Sequence, residues 1–441
     1  MYVEWIELEN VMCFEKARLD FSLDGKMLKW NLLLGENGTG KSTILKLIAF
    51  LLMRDKYHYH LMPDPLRIVR DGTSDAVATL GVKTRIEGKW RSCHIEYVVN
   101  KLQGGSFKES FEATPRKVYN TLYDSPPFVV GYGATRLMTK ETSVARDDTR
   151  VETLFIEGKS LEPIEEWLKN LAWKGYKEQT SQEERYRMVT ELMSDIIPGV
   201  TFKEVNADGE AVFSTPYGYT RFADMSRGYQ DVLTWVCDLL RKLLEFAGPR
   251  SNIFKIPGVV LVEEIALHLH PSWQRKVISY VRNNFPELQF IATTHSPLAA
   301  QSVDRGELVI LDRIRKPNRK RDTVNVNRLD IVPKAMTVDQ ILTSPFFGLD
   351  SPSAIETNEK MEQFYSLKRK IVQREASPAE EKEYENLREY LDRIKEAPGM
   401  TNRERDLFNL MQDMLVEMGR SDMVDRPTLA QLKRKLDDLG E

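Results

Sequence analysis

The sequence predicts an α/β fold: a mixed sheet with a parallel core around a phosphate-binding loop, a helical lid inserted at about 150–215, and a mostly helical extension at 316–441. Three observations carry it. Gly35 to Ser42 reads Gly-Glu-Asn-Gly-Thr-Gly-Lys-Ser, a complete phosphate-binding loop between an apolar run, Trp30 to Leu34, and an amphipathic run, Ser42 to Met53. Val259 to Glu264 and Gln289 to Thr293 have the apolar pattern of buried strands, with a helical stretch, Pro271 to Asn284, between them, and that alternation implies a parallel sheet. From Thr337 onward the chain turns charge-rich at helical spacing.

Taken in order, Val3 to Leu8 and Phe14 to Phe21 alternate apolar and polar residues as strands do. The apolar run before Gly35 makes a third strand, so the loop is expected to be fed by a small N-terminal sheet. Ala76 to Val82, Cys93 to Val99 and Phe128 to Tyr132 read as strands, and Ile164 to Leu171 and Ser181 to Ile197 as lid helices. Leu308 to Arg313 and Thr323 to Leu329 flank a basic stretch and predict a hairpin with a charged tip. Beyond it, Ser377-Pro-Ala-Glu380 is a helix-capping box. Leu407, Leu410, Met411, Met414, Leu415 and Met418 form one helical stripe, and a last helix is expected from Thr428 to about Leu439.

Composition fits a globular chain: 441 residues, 41% hydrophobic and 29% charged, with a formal net charge of -3. That balance gives no global reason to expect nucleic-acid binding, so any such surface must be local or supplied by a partner. Cys13, Cys93 and Cys237 are few, odd in number and without a Cys-x-x-Cys pair, which indicates a reduced compartment and neither disulfides nor a zinc site. The strand-like start and the lack of a bilayer-length apolar run predict a cytoplasmic protein with no membrane partner. His58, His60, His268 and His270 lack further ligands at metal spacing.

The loop's chemistry follows from its residue types. Its glycines let backbone amides wrap phosphate oxygens, Lys41 neutralises the β and γ oxygens, and Ser42 reaches Mg²⁺. Glu36, Asn37, Gly38, Thr39, Gly40, Lys41, Ser42 and Thr43 are therefore candidate nucleotide contacts. Four further motifs accompany it. Ser226-Arg-Gly-Tyr-Gln230 opens a helix, and Ser226, Gly228 and Gln230 are candidates for a γ-phosphate. Glu263 and Glu264 end a buried strand: one carboxylate can hold Mg²⁺, the other can orient or deprotonate water. His295, after the next strand, can sense the γ-phosphate. Gly131 to Arg136 places a turn and a cation near the same edge.

Over about Met1 to Leu311 these motifs, in this order, resemble the ATP-binding-cassette ATPases of the SMC, RecF and OLD type. The resemblance implies ATP and Mg²⁺ as ligands, Ser42 and Glu263 on the metal, and Lys41, Glu264 and His295 as the catalytic set. It also implies a head-to-head dimer or higher oligomer, in which Ser226 and Gly228 of one chain meet the γ-phosphate held by Lys41 of another. Glu263 replaces the family's usual aspartate, and Ala266 a second one, so slow hydrolysis is expected. No sustained heptads mark long coiled-coil arms, and no Toprim-like nuclease pattern follows Leu311.

The segment Met336 to Asp350 resembles the tail of Septu-type and retron-associated ATPases encoded beside HNH nucleases in bacterial anti-phage systems. An HNH nuclease is therefore an expected partner, with 316–441 as the candidate docking region. Phe346, Phe347 and Leu349 read either as a patch packed on the head or as part of that dock. The tip cations Arg313, Arg315, Lys316, Arg319, Lys320 and Arg321 could contact DNA phosphates. A RecF-like DNA repair clamp is the alternative reading.

Overall fold

The computed structural model describes residues 1–135, 150–156, 158–178, 181–197, 199–248, 252–315, 321–345, 347, 349 and 354–395. Two compact units divide the chain, Met1–Leu349 and Asp350–Glu441.

The first unit holds two principal sheets. Five antiparallel strands run in the order Phe14–Asp20, Tyr2–Val11, Asp75–Ile86, Lys89–Lys101 and Phe107–Thr114. Six strands form the other sheet, in the order Thr323–Arg328, Leu308–Ile314, Trp30–Gly35, Leu288–Thr294, Gly258–Val262 and Phe128–Tyr132, parallel except for the first. Trp30–Gly35 therefore does not extend the N-terminal sheet, contrary to the sequence expectation. Every residue in it is buried, which suits a central strand covered on both faces and not the edge of a half-solvated sheet.

Strand periodicity sorts the core. Val259, Leu261 and Ile291 face one side, where they join Leu45, Ile48 and Phe50 of the helix Lys41–Leu61 and the N-terminal sheet. Val260, Val262, Phe290 and Ala292 face the other, where they meet Val232, Val236 and Leu240 of the helix Arg227–Ala247. Helices thus cover both faces of the parallel core, as its near-continuous apolar strands require.

The lid is half sheet. Helices Ile164–Glu178 and Ser181–Ile196 are followed by an antiparallel trio, Thr201–Val205, Ala211–Thr215 and Gly218–Arg221. The expected helix Pro271 to Asn284 is broken into Pro271–Gln274 and Val277–Asn284. The division expected at 315/316 falls inside a hairpin, where Ile314 opposes Thr323 and Val309 opposes Arg328, so the first unit runs on to Leu349. Phe347 packs on the core, Leu349 is exposed, and Phe346 lies outside the described residues.

In the second unit, helices Ile355–Gln373 and Pro378–Lys395 pair through Phe364 stacked on Tyr384 with ring centroids 4.8 Å apart. The capping box at Ser377 forms: its N–H donates to Glu380 Oε2 at 2.8 Å, and its hydroxyl accepts from the Glu380 N–H at 3.4 Å. The stripe from Leu407 to Met418 and the expected helix at Thr428 lie outside the described residues.

Candidate active site

Between Trp30–Gly35 and Lys41–Leu61 the loop turns back on itself through two left-handed glycines, Gly38 at φ +81° and Gly40 at φ +88°. A Cβ at Gly40 would lie 2.5 Å from the Phe14 ring and 2.7 Å from Cys13 Sγ, so a side chain is excluded there by space as well as by φ. Thr39 Oγ1 donates to the Glu36 carbonyl at 2.9 Å and closes the loop from behind. Lys41 Nζ donates to the carbonyls of Gly35 at 2.7 Å and Glu36 at 2.9 Å, which leaves one of its three donors for a ligand oxygen. Burial pulls the Lys41 ammonium below its usual range, while Glu264 and Glu263 act in the opposite direction.

The two glutamates arrive at the same edge by backbone register. Glu263 N–H donates to the Tyr132 carbonyl at 2.8 Å, continuing the pairing of the strand before it. Glu264 then takes φ +49°, and its N–H donates to Thr293 Oγ1 at 2.9 Å, which turns the chain out of the sheet. The Ser42 hydroxyl donates to Glu263 Oε1, so the added methylene of glutamate still reaches the serine. Glu264 Oε1 stands 3.4 Å from His295 Nε2.

Lys41, Ser42, Glu263, Glu264 and His295 line one cavity of about 880 Å³, together with Asn37, Gly38, Gly40, Thr43 and Leu267. Its size lies within the range of small-molecule sites. A hydroxyl beside a carboxylate is a hard oxygen pair suited to Mg²⁺, and a glycine loop that leaves no room for a side chain at Gly40, with a lysine beside it, suits a polyphosphate. The residues present therefore fit a nucleotide with Mg²⁺.

Other expected contacts fall elsewhere. Ser226 and Gly228 sit at the opening of Arg227–Ala247 and do not line this cavity; Ser226 is exposed and makes no capping hydrogen bond. Gln230 donates through Nε2 to the carbonyls of Phe222, Ala223 and Met225 at 3.0–3.1 Å, so its amide nitrogen fastens the preceding turn. Arg136 lies outside the described residues. His270 caps Pro271–Gln274 through Nδ1, and among the described residues no cluster of three metal-ligating side chains occurs.

Several contributions to the site were not read from the sequence. Thr293 anchors Glu264; its place in Thr293-Thr-His295 was the available signal. Phe14 and Cys13 back the loop, a contact nothing local foretells; burial pushes the Cys13 thiol up, so it serves as neutral packing. Arg67, Arg70 and Arg321 line the same cavity, the last of them expected at the hairpin tip and not here. At the hairpin tip, Arg313 pairs with Asp322 at 3.5 Å and Arg321 with Asp71, while Lys316, Arg319 and Lys320 lie outside the described residues.

Two family models match: "AAA domain, putative AbiEii toxin, Type IV TA system" over residues 134–300, and "AAA domain" over residues 6–121. The Septu protein PtuA of Bacillus mycoides (strain KBAB4) is 27% identical over 417 residues, 92% of this chain and 52% of that protein. This chain thus spans about half the length of that relative. The Septu protein PtuA of Bacillus thuringiensis is 25% identical over 307 residues, 64% of this chain and 69% of that one. Among solved structures, an SMC head bound to the C-winged helix domain of ScpA aligns with 76% of this chain and 100% of its own at 19% identity and a TM-score of 0.49. No helix among the described residues is long and apolar enough to cross a membrane. With its phosphate loop, paired carboxylates and histidine gathered at one sheet edge, the chain resembles the AAA-domain ATPases and, over most of its length, the Septu protein PtuA.

Proposed function

We propose that this chain is the ATPase of an anti-phage defence system, that it hydrolyses ATP slowly, and that its head-to-head assembly regulates a separately encoded HNH nuclease through nucleotide state. The observation that carries the ATPase reading is the sorting of two adjacent glutamates onto two partners, Glu263 on Ser42 and Glu264 beside His295, at the mouth of one phosphate loop. The similarity to Septu proteins supports the defence context.

Bound Mg²⁺ would neutralise charge on the β and γ phosphates and orient them. Ser42 and Glu263 are the residues that would hold it, and Lys41 would balance the phosphates' remaining charge. Glu264 then accepts a proton from a water molecule as the water oxygen bonds to the γ-phosphorus and the bond to the ADP oxygen breaks. His295, with Nε2 beside Glu264, holds that carboxylate toward the cavity. Slow turnover is proposed because the longer Glu263 side chain has more freedom than an aspartate at a metal that tolerates poor geometry badly.

The test is to co-purify the full chain with the products of its neighbouring genes and to measure ATP hydrolysis and any nuclease activity together. A stable complex, a turnover well below the ordinary enzyme value of about 10 per second, and nuclease activity that changes with ATP are expected. A chain that hydrolyses ATP but neither binds nor influences the HNH protein removes the defence role and favours the DNA-clamp alternative.

A further inference from the structure

The turn that follows Glu264 is gripped by the helix that opens with Ser226. Leu267 N–H donates to the Glu264 carbonyl at 3.1 Å and Leu269 N–H to the Ala266 carbonyl at 3.3 Å, so residues 264–269 form consecutive turns. Two of them, Glu264 at φ +49° and His268 at φ +60°, are non-glycine residues in the left-handed region, which side chains disfavour unless their surroundings hold them. For Glu264 the holder is Thr293. For His268 it is the helix Arg227–Ala247: His268 Nδ1 lies 2.7 Å from Asp231 Oδ2. Asp231 is itself buried and paired with Arg227 at 3.5 Å. Gly228 packs directly on the His268 backbone, and a Cβ at Gly228 would collide with the His268 carbonyl oxygen. Glycine is thus required at position 228 by this contact within the chain, whatever it does for a nucleotide.

We infer that His268 is a positioning residue: gripped by Asp231 and Gly228, it fixes the turn that carries Glu264, joining the helix opening at Ser226 to the carboxylate of this chain's own site. The inference rests on the proposed ATPase reading. Its consequence is specific: whatever Ser226 and Gly228 meet moves the same turn that sets Glu264. The ring is half exposed while Asp231 is buried, so the pair presents the imidazole outward from a fixed carboxylate.

The test uses the full chain and compares kcat, KM, equilibrium ATP affinity and thermal midpoint. His268→Gly permits the backbone angle and removes the ring. It is expected to lower kcat about tenfold or more, as misplacement of a reacting group does, with ATP affinity and midpoint retained. His268→Asn tolerates the left-handed angle and can still bond Asp231, so it should recover most of the loss. Asp231→Asn alone should lose part of kcat, and combined with His268→Gly it should cost no more than His268→Gly alone, the signature of one shared contact. Wild-type kcat in His268→Gly, or losses that simply multiply, overturns the inference. Two controls separate the claims: a wild-type chain that shows no ATP hydrolysis ends the ATPase reading and takes this one with it, whereas a Glu264→Gln chain that keeps hydrolysis leaves the ATPase reading standing and removes the base that His268 would position. If Glu264→Gln abolishes hydrolysis while His268→Gly does not, only the positioning role fails.

Discussion

Glu263 and Glu264 are neighbours in sequence and yet face different partners, because the chain leaves the extended conformation between them. Val262 is the last residue in register, opposite Tyr132; Glu263 adds one more bond to the Tyr132 carbonyl, and Glu264 at φ +49° is the first residue turned out of the strand. The division predicts separable phenotypes. Glu264→Gln keeps shape and loses the basic oxygen, so kcat should fall by about 10² to 10⁴, the ordinary worth of a positioned base, with ATP still bound. Glu263→Asp shortens the reach to Ser42 and introduces the aspartate usual in the ATPases that the motifs resemble; it should raise kcat and lower the Mg²⁺ concentration needed for half-maximal rate. A Glu263→Asp chain no faster than wild type, measured across a Mg²⁺ titration, would show that the extra methylene is not what limits turnover.

At the scale of elements, the helix Arg227–Ala247 does two jobs, one at its opening and one along its middle. Its opening grips His268, and its middle carries a buried charge cluster against the edge strand Phe128–Tyr132: Asp238 lies 3.0 Å from Lys242 Nζ and 2.8 Å from Arg241, and accepts from Tyr132 Oη at 2.9 Å. Burial alone would raise the Asp238 pKa, but Lys242 and Arg241 outweigh it and hold the carboxyl below its ordinary value. A depressed carboxylate contributes stability that is complete above its unfolded pKa of about 3.9 and is lost as pH falls through the lower folded value. Lys242→Met leaves Asp238 short of a partner in a site where both side chains are 2% exposed, and should cost about 3–5 kcal/mol in urea unfolding at pH 7. A cost within error of zero would mean that Arg241 and Tyr132 suffice. The cluster also marks the limit of what was legible in sequence. The phosphate loop, Glu264 and His295 were readable because each chemistry is written in a few consecutive residues next to its strand. The place of Trp30–Gly35 in the six-stranded sheet, the sheet half of the lid, the anchoring of Gln230 and the grip on His268 were not. Each depends on a partner many positions away, as Asp231 is from His268, and no local pattern records such a pairing.

For the whole molecule, the decisive fact is what a single chain leaves apart. Lys41, Ser42, Glu263, Glu264 and His295 share a cavity, whereas Ser226 and Gly228 open a helix that does not line it. In the proposed head-to-head assembly a second chain supplies that helix opening, and a symmetric dimer then contains two composite sites. Complementation between two inactive variants tests this directly. Lys41→Ala removes the phosphate-binding lysine, and Ser226→Arg fills the exposed helix opening; each should be inactive alone, because each homodimer has two damaged sites. Mixed, the two chains form heterodimers in which one site carries both lesions and the other carries neither. With random pairing of equal amounts, half the dimers are mixed and each has one intact site of two, so about a quarter of wild-type hydrolysis should return. A mixture that stays inactive, while light scattering shows that the chains associate in ATP, would place Ser226 outside the active site and leave each head to hydrolyse ATP alone. Recovery of activity would make the nucleotide a component of the interface, so that slow hydrolysis sets the lifetime of the assembled state.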